Sequence, residues 1–372
     1  MIKKRIAFII MAGVLSITAL TGCGSKNSIL PETIVANAIE AENNLKSYYS
    51  EARVRAYDKD NKITNGATEK EWQDISNGKM KIRREYYSDN NELESVSTSD
   101  GDTVITYDNR AGKASIMKNI DESDMPINSG RQYNKIILQY IKENIENHDI
   151  SIIGEEKING MNTYHIRAVP KEESIMFLEQ DMWINKKNWS VIKTIGVLTG
   201  GTKIEEEYVK IDFSPKLPDE IFTQKIPEGV KIENIEEAGP KTKTMTLKEV
   251  RDFLGNPFLY FPELSSYKIK NIKLIQYESE ELYNEITMDY EKDGKPYFEM
   301  RLRKGNKVNF NDSKIPGAKE ITIRGQKGYI LKGVKSVILW PEEDISYSII
   351  PHENFEKIED FIKELNEMEM FN

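Results

Sequence analysis

Between residues 50 and 213 apolar and polar positions alternate every second residue in short runs, and the runs end in turn-forming pairs. "KMKIRREYY" puts Met80, Ile82 and Tyr86 on one face, with Arg84 among them, and Lys79, Lys81, Arg83 and Glu85 on the other. "TYHIRAV" sets Tyr164, Ile166 and Ala168 against Thr163, His165 and Arg167. A period of two with one apolar face marks a strand of an antiparallel sheet with one side buried and one side wet. Between the runs lie Asn77-Gly78, Asp100-Gly101 and Asn159-Gly160, dipeptides suited to the positive φ of tight hairpins. "YDNRAGK", "INKKNW" and "LTGGTK" supply further reversals. The pattern predicts an antiparallel meander.

Two stretches keep a helical period instead. Pro31 opens one, with Ile34, Val35, Ala38, Ile39, Glu42, Leu45 and Tyr49 on one face. The other, "RQYNKIILQYIKENIENH", interrupts the meander with a stripe of Tyr133, Ile136, Ile137, Tyr140, Ile141 and Ile145. Both are expected to cover the apolar face of the sheet. After "LPDEIFTQKIPEGVKI" the composition turns polar and charged over 233–245, which reads as a linker. Thr246 and Glu249 then form a capping-box pattern before a short helix through Leu254. Four to six strands follow, and an amphipathic helix is predicted over 353–370 with Phe355, Ile358, Ile362 and Leu365. The expected class is α+β: a larger unit over 31–232 and a smaller antiparallel α+β unit over 246–372.

The start of the chain changes the picture. Lys3, Lys4 and Arg5 precede an uncharged stretch ending at Gly22. Its apolar core is about fifteen residues, short of the ~20 that a membrane span needs, and its layout is that of an export signal. Leu20, Thr21, Gly22 and Cys23 resemble a bacterial lipobox, and Cys23 is the only cysteine of the chain. The resemblance implies that residues 1–22 are removed, that Cys23 carries lipid, and that residues 23–30 are a tether on the outer face of the cell membrane. A single thiol excludes an intrachain disulfide. Removing 1–22 takes away three positive charges, so the formal charge moves from −9 to about −12. Such a balance argues against nucleic acid as a partner.

The order of elements from Pro31 to Val230 resembles the LolA/LolB lipoprotein-carrier superfamily. Its carriers are the "SDGDTVITYD" strand pair, the hairpin at Ile158-Asn159-Gly160 followed by Tyr164, and the closing Pro218, Phe222, Pro227 and Gly229. That resemblance implies a curved antiparallel half-barrel closed by helices around an apolar cavity for acyl chains. The lipobox, this unit and the tail pieces "ITMDYEKDGKPYFEMRL" and "VILWPEEDISYSI" together are similar to the YdcC-like sporulation lipoproteins and, more distantly, to the GerS group. An anchored chain fits a stationary role better than a soluble shuttle.

Candidate chemistry is sparse. His148, His165 and His352 are scattered, and no Cys cluster, acidic calcium loop or Gly-x-Ser-x-Gly elbow is present. "GVLTGGTK" lacks P-loop spacing. The acids of "IEEEYVK" (Glu205–Glu207) and "EEDIS" alternate between faces and read as solvated. No enzyme, cofactor or metal site is expected. Arg84, on an apolar face, is either a donor to a lipid headgroup or lid carbonyl inside a cavity, or an edge residue, a residue turned outward by a bulge that swaps the faces, or a partner of a buried carboxylate. Trp72, Tyr86, Tyr107, Tyr164 and Trp183 are either cavity wall or core. The candidate ligand cavity is Met80, Ile82, Arg84, Tyr86, Ile136, Ile137, Tyr140, Tyr164 and Ile166. The expected function is binding of an acyl chain or other lipid, or of a cell-wall-modifying protein partner, in sporulation or germination. Lipoprotein localisation is the further alternative.

Overall fold

The computed structural model describes residues 29–75, 78–118, 130–172, 177–198, 200–234, 241–262, 265–277, 284–305, 318–333, 335–353, 355 and 357–372. Leu20, Thr21, Gly22 and Cys23 lie outside the described residues. The protein is mostly β-sheet, with four α-helices among the described residues.

Helix α1 (Pro31–Asn44) leads into strands β1 (Ser47–Tyr57), β2 (Ile63–Asp74), β3 (Lys81–Ser88), β4 (Leu93–Ser99), β5 (Thr103–Asp108) and β6 (Lys113–Lys118). Helix α2 (Gly130–Glu143) follows, then β7 (His148–Ile158), β8 (Met161–Pro170), β9 (Glu179–Asn185), β10 (Val191–Val197), β11 (Lys203–Asp212) and β12 (Ile232–Asn234). These strands form one sheet in the order β12-β6-β5-β4-β3-β2-β1-β11-β10-β9-β8-β7. The sheet is two meanders joined where the first strand meets the eleventh. Because β6 and β7 lie near opposite ends of it, the segment carrying α2 must cross its face.

Local chemistry sets the turns. Asn159 and Gly160, between β7 and β8, take φ of 47° and 82°, the two positive values a two-residue hairpin requires. Helix α1 ends earlier than its apolar spacing predicts: Tyr49 is in β1, paired with Trp72 and Asp212. Helix α2 is also rotated from its predicted stripe. Its buried positions are Arg131, Asn134, Ile137, Leu138, Tyr140 and Ile141, whereas Tyr133 is exposed and Ile136 half-buried. Two polar residues take the inward stripe because acids on α1 and β11 receive them.

Ile34, Val35 and Ala38 of α1 pack with Ile137, Leu138 and Ile141 of α2. Beneath them lie Ile166, Ala168, Met182, Ile184 and Val191 of β8, β9 and β10. Full burial of each such aliphatic side chain stabilises by roughly 1.5–3 kcal/mol, so this closed core fastens both helices to the second meander.

The remaining elements are β13 (Lys241–Thr244), α3 (Leu247–Leu254), β14 (Phe258–Tyr260), β15 (Lys268–Gln276), β16 (Glu285–Lys292) and β17 (Lys295–Lys304). After them come β18 (Ala318–Ile323), β19 (Gln326–Leu331), β20 (Val337–Glu342), β21 (Ile345–Pro351), α4 (Ile358–Glu364) and β22 (Glu369–Phe371). A second sheet has the order β13-β15-β16-β17-β21-β20-β19-β18, and β14 pairs with β22. Its core is a separate cluster with Trp340 stacked on Tyr347 at 5.0 Å. The capping box at α3 is formed, and Gly255 ends that helix at φ 74°.

Three expectations change here. The stretch 233–245 is strand at both ends: Glu233 and Asn234 pair with β6, and 241–244 pair with β15. The second sheet has more strands than the four to six expected. The helix predicted over 353–370 is only α4 and a following turn. Arg324 Nη1 donates to the carbonyls of Leu365, Asn366 and Met368 at 3.4, 3.3 and 3.0 Å, which stops the helix and lets β22 form.

Candidate binding site

Inward positions across the first sheet follow from its register. Tyr86 on β3 faces Glu69 on β2, which faces Ala52 on β1. Val54 on β1 faces Glu206 on β11, which faces Thr194 on β10. Gln180 on β9 faces Gly196 on β10. Ala52, Thr194 and Gly196 in this row are small, which leaves space over the floor that larger side chains would fill. A cavity of about 340 Å³ lies over it, walled by Val54, Ala67, Gly196, Leu198 and Ile204 and flanked by Gly130 and Tyr133 of α2. Tyr86 and Gln180 both line it, although four strands separate theirs. In a flat sheet those strands would stand about 24 Å apart, so the sheet is curled around the cavity.

Three residues with acceptor groups line this apolar space: Glu69, Glu206 and Gln180. Glu69 is 7% exposed and its carboxyl is pushed up to about 8 by burial and then by Glu206, against the pull of Arg84 and a hydrogen bond from Tyr86. Glu206 is pushed up to about 7 by burial, against hydrogen bonds from Asn134 and Tyr208 and the charge of Arg131. Asn134 Nδ2 donates to Glu206 Oε2 at 3.0 Å. Gln180 Nε2 donates to the carbonyl of Asp181 at 3.2 Å, which fixes the amide orientation and leaves Oε1 without a partner. Gly130 at the start of α2 leaves room for Glu206: a Cβ there would lie 1.6 Å from Glu206 Oε1.

Beside the cavity a buried ionic cluster ties α1, α2 and the sheet together. Arg84 Nε meets Glu71 Oε2 at 2.5 Å, and Tyr48 donates to the same carboxylate. Arg131 holds Glu42 of α1 at 2.8 Å and lies over the rings of Tyr48 and Tyr208 at 4.9 and 5.1 Å. Arg84 therefore has a buried carboxylate as its partner. It is not at an edge, since β3 lies between β2 and β4, and no bulge swaps its face: the irregularity of that strand falls after it, at Tyr86/Tyr87, and Arg84 is buried.

The nine residues expected to share one cavity do not. Tyr86 lines it, and Arg84 sits next to its wall. Ile137, Tyr140 and Ile166 belong to the closed core, with Tyr164 packed on its margin against Trp189. Ile82 is buried, and Ile136 is half-buried on α2. Met80 lines a separate small pocket with Gln73 and Arg131. The reading of Glu206 as solvated is also overturned, since it is 6% exposed. Glu69, Gln180 and Glu206 were missed because an apolar-polar alternation assigns acids to the wet face. The available signal was parity: Ala67, Glu69 and Glu71 share a face opposite Trp72.

His165 on the other face of the sheet is enclosed by Glu156 and Asp181, both at 2.9 Å, and stacks on Trp183 at 4.1 Å. Among the described residues no three His, Cys, Asp or Glu side chains are grouped to hold a metal ion, and no helix is long and apolar enough to cross a membrane.

No family model matches the chain. It is 25% identical over 166 residues to the uncharacterized protein MJ0687 of Methanocaldococcus jannaschii, covering 45% of this chain and 44% of that one. The chain thus matches less than half the length of that relative. Among solved structures it is similar to the MucA/MucB complex of Pseudomonas aeruginosa, at 7% identity and a TM-score of 0.37, covering 89% of this chain and 96% of that one. It is also similar to LolA superfamily protein NE2245 of Nitrosomonas europaea, at 11% identity and TM-score 0.24, with 53% and 99% covered. A third neighbour is LprF of Mycobacterium bovis, at 11% identity and TM-score 0.30, with 54% and 97% covered. The LolA superfamily is therefore represented among the structural neighbours of this chain. Likeness at this level carries nothing about what the chain binds.

Proposed function

We propose that this chain is an envelope protein that binds rather than catalyses, and that the curled face of its first sheet holds an apolar ligand such as an acyl chain. The observation that carries the reading is the cavity of about 340 Å³, with Val54, Ala67, Leu198 and Ile204 in its wall and exposed Tyr133 and Ile204 at its margin. Its size falls in the range of about 300–1,000 Å³ typical of small-molecule sites. Removing apolar ligand surface from water there yields about 25 cal/mol per Å². Tethering through Cys23 on the outer face of the cell membrane makes the chain a stationary holder, with residues 31–232 as the binding unit and 246–372 as a second unit. A role in sporulation or germination, or in lipoprotein localisation, belongs to the same reading and rests on the sequence resemblance alone.

The test is native mass spectrometry of the chain from Gly24 onward, before and after solvent extraction. A bound lipid released by extraction, or stoichiometric uptake of an added single-chain amphiphile, supports the reading. A mass unchanged by either treatment sinks it. A second reading, a protein partner added along a sheet edge, is favoured by β7. It ends the first sheet with one side unpaired among the described residues, and it carries exposed Ile153.

A further inference from the structure

Around the cavity buried carboxyl groups outnumber buried guanidinium groups among the described residues. Glu42, Glu69, Glu71 and Glu206 are all less than 10% exposed, and two guanidinium groups, Arg84 and Arg131, face them among the described residues. Both cations are already engaged, Arg84 with Glu71 and Arg131 with Glu42. Glu69 and Glu206 are the two carboxyls left over, and they are the two that line the cavity. The stretch 119–129 that leads into α2 contains Asp121, Glu122 and Asp124 and no basic residue. Independently, Gln180 is 2% exposed and its Oε1 has no hydrogen-bond partner. A buried acceptor left unpaired costs free energy, and Gln180 is a lining residue of the same cavity on the side of β9. A metal ion is a poor partner for these carboxyls, because no suitable group of ligands is present among the described residues.

The geometry points to an alkylammonium ligand: a protonated amine on an apolar stem, its N–H groups shared by Glu69, Glu206 and Gln180 and its stem along Val54, Leu198 and Ile204. This rests on the reading of the cavity as an apolar binding site and names the polar end of what it takes. An ammonium group has three donors and no acceptor, which suits the two carboxyls and the Gln180 amide oxygen among the polar groups of the wall. It also stabilises the ionised form of the two carboxyls, which burial holds above the ordinary carboxyl range. A fatty-acid anion would oppose ionisation of these two carboxyls, whereas an ammonium group is paired as they ionise.

Isothermal titration of the chain from Gly24 onward at pH 7, with dodecylammonium, dodecanol and dodecanoate below their micelle concentrations, tests this. The expected result is binding of dodecylammonium about tenfold or more tighter than dodecanoate. The preference should shrink to within about threefold in a Glu69→Gln/Glu206→Gln variant, which keeps the side-chain volumes and the dodecanol affinity. Gln180→Met removes the free acceptor without touching the acids and should weaken ammonium binding alone. Circular dichroism confirms that each variant is folded. Butylammonium, with a stem of lysine's length, distinguishes the sources of this chemistry. Binding as tight as dodecylammonium indicates a lysine side chain, and weaker binding indicates an amino-bearing lipid. If dodecanol binds but dodecanoate matches dodecylammonium, or if the double variant keeps the full preference, the ammonium assignment is overturned and the apolar site stands. If none of the three binds, the apolar site itself is overturned, and this assignment with it.

Discussion

Arg84 stands between Ile82 and Tyr86 on the inward side of β3, where an unpaired guanidinium would be costly, and Glu71 on the next strand makes the position tenable. Breaking such a pair from one side is harsher than removing both members, because the survivor is left charged and dry. Arg84→Met is expected to lower stability by about 3–5 kcal/mol, and adding Glu71→Leu to recover most of it. Urea unfolding of the single and double variants checks this, and equal losses in both would refute the pairing account. Glu69 makes a different prediction. Its carboxyl titrates near 8 in the folded chain and near 4.5 in the unfolded one. Across that window the unfolded chain releases a proton that the folded chain keeps, so stability falls as pH rises from about 4.5 to about 8. Glu69→Gln should flatten the fall. Urea midpoints at pH 5 and pH 8 would show it, and an unchanged slope in the variant would rule Glu69 out as the source.

At the scale of elements, α2 decides the site. Its apolar spacing was plain in the sequence, yet the stripe that buries is shifted toward Arg131 and Asn134. Hydrophobic periodicity could not show this, because those positions are stabilised by Glu42 and Glu206 on elements remote in sequence. The start of the helix at Gly130 also abuts Glu206, so Gly130→Ala would force either the helix or the carboxylate to move. Overpacking of this kind costs typically about 1–3 kcal/mol. The expected outcome is a lowered melting temperature, restored in part by Glu206→Ala; no change in the single variant would show that the contact is slack. Helix α3 is the opposite case. Its box at Thr246 and Glu249 is local, was legible from residue types three apart, and is formed. Thr246→Ala is expected to cost about 1 kcal/mol by chemical denaturation.

For the whole molecule, the N-terminal pattern predicts that Cys23 holds the chain at the membrane. Cys23→Ser should move the protein from the membrane fraction to the soluble one and abolish incorporation of labelled palmitate. Persistence in the membrane fraction without label would mean that the N-terminal stretch is retained as an anchor. The order of strands was legible because hairpins are local: a turn pair such as Asn159-Gly160 and the flanking alternation specify neighbours in sequence as neighbours in space. By itself the sequence therefore determined the two helical stretches before and within the meander, the antiparallel pairing and the capped start of α3. It did not determine which strand closes the first sheet or how far that sheet curls. Those follow from the pairing of β1 with β11, whose residues are some 150 positions apart, as in Tyr57 with Lys203. Nor could alternation separate Glu206 facing a cavity from Glu205 beside it facing out. A carboxylate is placed inward by the donors and apolar walls it meets there, and only tertiary structure brings Asn134, Gly130 and Gln180 to it.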